Sequence, residues 1–131
     1  KKGLHIMYLV NGKEYKCAIA IAQDIFNDKW KLGIIWHLLE GKKRYKELFE
    51  EVCEITQKTL TVKLRELEEK GIIAREVFPE IPPKVVYSLT PIGEKLRPVF
   101  NEMFDWGIDY VKTCGTLSEG AVCEPKLSNK V

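Results

Sequence analysis

Gln57, Lys58, Thr61, Val62 and Arg65 recur at intervals that place them on one side of a helix turning about 100° per residue. Their combined chemistry is that of a groove reader. A glutamine can pair two-pronged with adenine, an arginine with guanine, and a threonine hydroxyl with either, while valine suits a thymine methyl. Lys58 adds a phosphate contact. Leu60, Leu64 and Leu67 occupy the opposite side and give the helix something to bury. Glu66, Glu68 and Glu69 come late, away from the N-terminal half through which a recognition helix meets bases. Polar outer faces are the rule on surface helices, so a merely solvated face stands beside this reading.

The surroundings favour the groove reader. Lys42-Lys43-Arg44 and Lys46 lie just before and at the start of the preceding helix, where cations and a helix N-terminus together suit a phosphate. Arg75 and Lys84 lie in two later extended segments and reach toward flanking backbone. The plain alternative for the basic run is a solubilising loop. The expected DNA-contacting set is Lys43, Arg44, Lys46, Thr56, Gln57, Lys58, Thr61, Val62, Arg65, Arg75 and Lys84.

The elements that must position these residues can be read in order. Leu4 to Val10 and Lys13 to Lys16 flank Asn11-Gly12, the strongest short signal for a hairpin. Ala18, Ile21, Ala22, Ile25 and Phe26 fit a short helix. Asp28 caps a second, Lys29 to Glu40, closed by Gly41. A third runs from about Tyr45 to Val52, with Tyr45, Leu48, Phe49 and Val52 inward. Thr56 caps the fourth, Ile55 is spaced to staple onto Leu60, and Gly71 ends it. Ile72 to Phe78 and Lys84 to Leu89 read as strands around a proline-rich loop, since Pro79, Pro82 and Pro83 cannot continue a ladder. Thr90-Pro91 starts a last helix running to about Lys112, which Pro98 should bend. The residues beyond Thr113 read as a tail. The order is that of a helix-turn-helix followed by a wing.

The chain has 131 residues, 45% hydrophobic and 31% charged, the size and composition of one globular domain. A net charge of +2 is too small to diagnose a nucleic-acid partner; only its distribution can. No apolar run approaches the roughly 20 residues of a membrane span. No signal-peptide pattern is expected, because Ile6 to Val10 is short and Asn11-Gly12 follows. Cys17, Cys53, Cys114 and Cys123 lack paired spacing, so a cytoplasmic protein with mostly reduced thiols is expected. Cys53 is expected to be buried in the turn between the third and fourth helices. Cys17 stands beside Lys16 where a helix N-terminus can lower a thiol's pKa; it is either a sensor thiol or a small residue flanking the helix. His5 and His37 have no Cys, Asp or Glu at ligand spacing, so no metal site is expected, and no cofactor motif or catalytic constellation appears.

Apolar residues spread over about half the last helix, wider than a core-capping stripe requires. Leu96, Val99, Phe100, Met103, Phe104, Trp106 and Tyr110 are therefore expected at a dimer interface. A monomer whose hairpin covers that surplus is the alternative. Trp30, Trp36, Phe104 and Trp106 are candidates to line an effector pocket there, with core packing the other role open to them.

Several runs also resemble the HxlR-type winged-helix transcriptional regulators. They are Asp28-Lys29-Trp30, Arg44-Tyr45-Lys46-Glu47-Leu48, Ile55 to Thr61, Leu64 to Gly71, Pro82 to Gly93, and Trp106-Gly107. The resemblance covers about Cys17 to Val111. It implies a homodimeric DNA-binding regulator of the broad MarR-like group. Some members sense oxidants or electrophiles through a cysteine where Cys17 stands, usually followed by proline; here Ala18 follows.

The expected fold is α+β, mostly α: a winged helix-turn-helix with an N-terminal β-hairpin and a long C-terminal dimerisation helix. The expected divisions are 1–16 for the hairpin, 17–90 for the DNA-binding domain, 91–113 for the dimerisation helix and 114–131 for the tail. The expected activity is sequence-specific binding of double-stranded DNA at a palindromic operator by a homodimer, without enzymatic function, cofactor or membrane, and responsive to an oxidant or small molecule. The competing reading is a winged-helix protein-interaction module that binds no DNA, suggested by the low net charge and the acidic stretch Glu47 to Glu54.

Overall fold

The computed structural model describes residues 7–120 and 124–125. Strands β1 (Tyr8–Val10) and β2 (Lys13–Tyr15) form the N-terminal hairpin. Asn11 and Gly12 both take positive φ, 50° and 82°, the pair of left-handed residues a tight hairpin turn needs. Residues 4–6 of the expected first strand lie outside the described residues. Tyr15 anchors the hairpin: it is buried, and its hydroxyl donates to Asp24 on α1 (Ala18–Phe26).

Helix α2 (Lys29–Leu38) begins at Asp28, whose carboxylate accepts from the N–H groups of Trp30 and Lys31 at 3.0 and 3.2 Å. It is the centre of the core. Ile34, Ile35 and Leu38 are fully or almost fully buried against Leu48 of α3 (Tyr45–Glu51) and Leu60, Leu64 and Leu67 of α4 (Gln57–Glu69). Each such side chain contributes about 1.5–3 kcal/mol of burial free energy. Ile55 and Leu60, the staple pair, both belong to this cluster.

A short strand that the sequence did not suggest, β3 (Lys43–Arg44), precedes α3. It pairs with β5 (Lys84–Leu89), which also pairs antiparallel with β4 (Ile73–Phe78), giving the order β3-β5-β4. Two residues are too few to show an alternating pattern, and their partners lie more than forty positions downstream. The wing is thereby tied to the entry of the helix-turn-helix.

The expected single C-terminal helix is two. Helix α5 (Pro91–Glu94) is capped by Thr90, whose hydroxyl accepts from the Gly93 N–H, and α6 (Arg97–Cys114) begins anew with Pro98 in its first turn. Pro98 has no N–H for the Glu94 carbonyl, and its ring would collide with that carbonyl in a continuous helix. The proline therefore opens a helix rather than bending one. Gly93 lets α5 settle on the sheet; a Cβ there would lie 2.3 Å from the Ile72 carbonyl oxygen. Among the described residues no helix is long and apolar enough to cross a membrane.

Candidate nucleic-acid interface

Helix α4 is oriented by its two faces. With Leu60, Leu64 and Leu67 buried, Gln57, Lys58, Thr61, Val62 and Arg65 are all exposed on the other side. Thr56 spends its hydroxyl locally, accepting from the Thr59 N–H at 3.1 Å. The turn before it passes through Glu54 at φ 63°, a left-handed position uncommon for a residue with a side chain.

Two sets of contacts hold this face in place, and neither was legible as such. Tyr45 packs on the core as expected, half-buried, and its hydroxyl reaches out to donate to the Gln57 carbonyl at 3.0 Å. The same oxygen lies 3.0 Å from Thr61 Oγ1. Since the tyrosine proton is used on Gln57, Thr61 donates here and keeps its lone pairs for an outside donor. On the other flank Lys63 Nζ reaches Asp28 at 2.7 Å, and Lys31 Nζ reaches Glu66 at 3.1 Å, locking α4 against α2. Burial alone would raise the Asp28 pKa, but the Lys63 ammonium and the two capping N–H groups hold it below the usual carboxylate range. Asp28 was recognised as a cap only; nothing local signals a partner 35 residues away.

The basic run divides. Lys42, Arg44 and Lys46 are exposed. Lys43 is not the phosphate contact expected of it: it is 8% exposed, and its Nζ lies 2.6 Å from Glu40 and 2.8 Å from Glu51. The pleat of β3 sends adjacent side chains to opposite faces, so Arg44 faces outward while Lys43 enters the protein. Burial opposes the Lys43 charge, yet hydrogen bonds to both carboxylates outweigh it and raise its pKa. In the wing Arg75 is exposed, and Lys84 Nζ sits 5.2 Å over the Phe78 ring. Arg44 is paired with Val86 of β5, and the next residue, Tyr45, grips α4. The wing and the N-terminal half of α4 are thus brought together across β3.

His37 adjoins this charge cluster. It is 4% exposed, and its Nδ1, 3.5 Å from Glu51 Oε1, has no hydrogen-bond partner. Burial pushes its pKa down, against the attraction of Glu51 and Glu40 and with the repulsion of Lys43. A depressed histidine pKa means that the unfolded chain protonates first. Stability contributed by neutral His37 is intact above about pH 6.5 and falls as pH drops toward the folded value, by at most about 1.4 kcal/mol per pH unit. Urea unfolding between pH 7.5 and 5.5 should show this loss, and His37→Gln should reduce it. Parallel pH profiles for the two proteins would contradict the assignment.

The expected dimerisation residues also divide. Phe100 is buried in the chain's own core, 5.6 Å from Phe26 and 5.7 Å from Trp36 between ring centres; Phe104 lies 6.0 Å from Trp36, and Leu96 packs on the same cluster. Val99, Met103, Trp106 and Tyr110 form an exposed stripe, with Trp106 and Tyr110 stacked at 4.9 Å. The four aromatics considered for an effector pocket do not gather. Trp36 and Phe104 line a cavity of about 240 Å³, Trp30 borders another beside His37, and Trp106 faces outward.

Cys17 is an exposed free thiol at the start of α1, and Cys114 is likewise free and exposed. Cys53 departs from expectation: it is exposed, and it is held in a disulfide. The turn that carries it lies at the surface, where Val52 and Ile55 take the inward positions. Cys123 lies outside the described residues.

An amphipathic α4 joined to α3 by a short turn, with a two-stranded wing beside it, defines a winged helix-turn-helix protein. The chain belongs to the HxlR-like helix-turn-helix family, whose model matches residues 25–114. It is 43% identical over 111 residues to the HTH-type transcriptional regulator YdeP of Bacillus subtilis, covering 85% of this chain and 87% of that one. A MarR-family regulator structure from Porphyromonas gingivalis W83 superposes with a TM-score of 0.69 at 37% identity, covering 74% of this chain and 95% of that one. The redox regulator HypR in its oxidized form gives 0.66 at 43% identity, covering 71% and 96%.

Proposed function

We propose that this chain is a sequence-specific regulator that binds double-stranded DNA in the cytoplasm as a homodimer. In this reading α4 lies in the major groove, Arg44 and Lys46 hold phosphates at the start of α3, and Arg75 and Lys84 of the wing meet the flanking backbone. The observation that carries it is the exposed row Gln57, Lys58, Thr61, Val62 and Arg65 on a helix whose other face is fully committed to the core. The dimer rests on the exposed stripe of α6, and its two-fold symmetry calls for an inverted operator.

The competing reading, a protein-interaction module, draws on the net charge of +2 and on the burial of Lys43 by carboxylates. A salt-titrated binding assay on fragments of genomic DNA separates the two. A selected site whose affinity falls steeply with salt is expected; weak binding to all fragments alike would favour the interaction module. Cys17, exposed and free as a sensor must be, is proposed to respond to oxidant; the similar protein HypR is named a redox regulator. Repeating the assay with oxidant should change affinity in the wild type and not in Cys17→Ser. The same response in both would leave Cys17 a helix-flanking residue only.

A further inference from the structure

The tip of the wing has a chemistry that neither the groove-reading helix nor the phosphate-binding cations explain. Strands β4 and β5 stay paired from Ile73 opposite Leu89 to Phe78 opposite Lys84, leaving Pro79–Pro83 as the tip. Ile81 there is fully exposed, at 102% of its reference area, and Val77 behind it is half exposed. Pro79, Pro82 and Pro83 restrict the backbone around it, and the Glu80 N–H donates to the Phe78 carbonyl at 2.8 Å. An apolar side chain is therefore held out into solvent on a stiffened loop that loses little freedom on binding.

The tip is not built to hold phosphates. It contains no cation, and its one charged residue, Glu80, would be repelled by them. The cations stand just behind, at Arg75 and Lys84. An apolar point backed by positive charge suits a polyanion with an apolar interior, which describes stacked bases between phosphate strands. A purely apolar protein partner gives those cations no role.

Position points the same way. The pairing of Arg44 with Val86, and the Tyr45 hydroxyl on Gln57 and Thr61, keep the lower wing beside the N-terminal half of α4. From Val86 two further paired positions carry the strands about 7 Å to Phe78 opposite Lys84, where the tip begins. The tip therefore projects close beside α4, toward the groove next to the one that helix would occupy.

We propose that Ile81 is a minor-groove wedge, entering the groove next to the one α4 occupies and partly unstacking one base step. It would kink the duplex toward the major groove and make the site favour flexible pyrimidine–purine steps that α4 never touches. This rests on the DNA-binding reading above.

The test uses the full chain and a duplex selected by the wild type from a randomised pool, with 2-aminopurine placed in turn at steps flanking each half-site. Wild type should raise the fluorescence at one step per half-site and bend the duplex, measured by energy transfer between its ends. Ile81→Ser, a surface change, should lose both signals and weaken binding about tenfold, while Ile81→Leu retains all three. Equal affinity and bending for wild type and Ile81→Ser would overturn the wedge. So would tighter, unbent binding by Ile81→Lys, which would lay the tip along phosphates, or loss of regulation in Ile81→Ser with DNA binding unchanged, which would assign the tip to a protein. If the wild type selects no sequence, the DNA-binding reading itself fails, an outcome seen before any Ile81 variant is compared.

Discussion

Trp106→Glu is expected to turn a dimer into a monomer and to abolish tight operator binding. Trp106 is 65% exposed in the isolated chain and stacks on Tyr110, in line with Val99 and Met103. Among the described residues the hairpin does not cover this stripe; its own Tyr8, Leu9 and Val10 are exposed as well. Both apolar surfaces are available to a second copy, and a two-fold interface would meet each substituted position twice. A buried glutamate without a partner at such a contact is strongly unfavourable. Each subunit of the proposed dimer reads one half-site, with half-sites inverted and about 10 base pairs apart. Losing the link between them should weaken operator binding roughly a hundredfold or more. Sedimentation equilibrium at micromolar concentration together with operator titration checks both effects. Trp106 is the better probe than Phe104, since Phe104 packs on Trp36 and its replacement would also disturb the monomer. A wild-type monomer, or a Trp106→Glu protein that still dimerises and binds, would remove both the dimer and the palindromic operator.

Arg65→Ala should cost roughly 1–3 kcal/mol of operator binding and relax the preference at one base position. Arg65 is exposed on the same face as Gln57 and Thr61, and the ion pairs of Lys63 and Lys31 with Asp28 and Glu66 fix that face relative to α2. A two-pronged contact to guanine is the commonest base-specific contact an arginine makes, so the loss should be confined to one column of a selection profile. Lys46→Ala gives the contrast: all sequences should weaken alike, and the dependence of log affinity on log salt should flatten by about 1. Lys43 is no use for this comparison. Its ammonium is enclosed by Glu40 and Glu51, so its removal would disturb that internal charge cluster rather than a phosphate contact. If Arg65→Ala keeps wild-type affinity and selectivity, α4 does not read bases through that residue.

The residues that face outward on α4 were legible because a helix's faces follow from its own period. Once Leu60, Leu64 and Leu67 are assigned to the core, Gln57, Thr61 and Arg65 have only one direction left. The caps Asp28, Thr56 and Thr90 were legible for a related reason: each satisfies N–H groups two or three positions away. The Asn11-Gly12 turn belongs with them, its two left-handed residues adjacent in the chain.

What depends on residues far apart was decided only by the tertiary structure. Lys43 and Lys46 carry the same charge in the same run, yet one is enclosed and the other free to meet solvent. The difference comes from Tyr87 and Val86, which draw Lys43 and Arg44 into a strand, and from Glu51, which faces the buried side. On α6 the width of the apolar face was readable, but its division was not. Phe100 and Phe104 turn inward because Trp36 of α2 is there to receive them, and what remains outside is Val99, Met103, Trp106 and Tyr110. Periodicity and capping act over a few residues and are written in the local sequence. Whether a charge finds solvent or a carboxylate, and whether an aromatic finds its own core or an open face, depends on elements that only folding brings together.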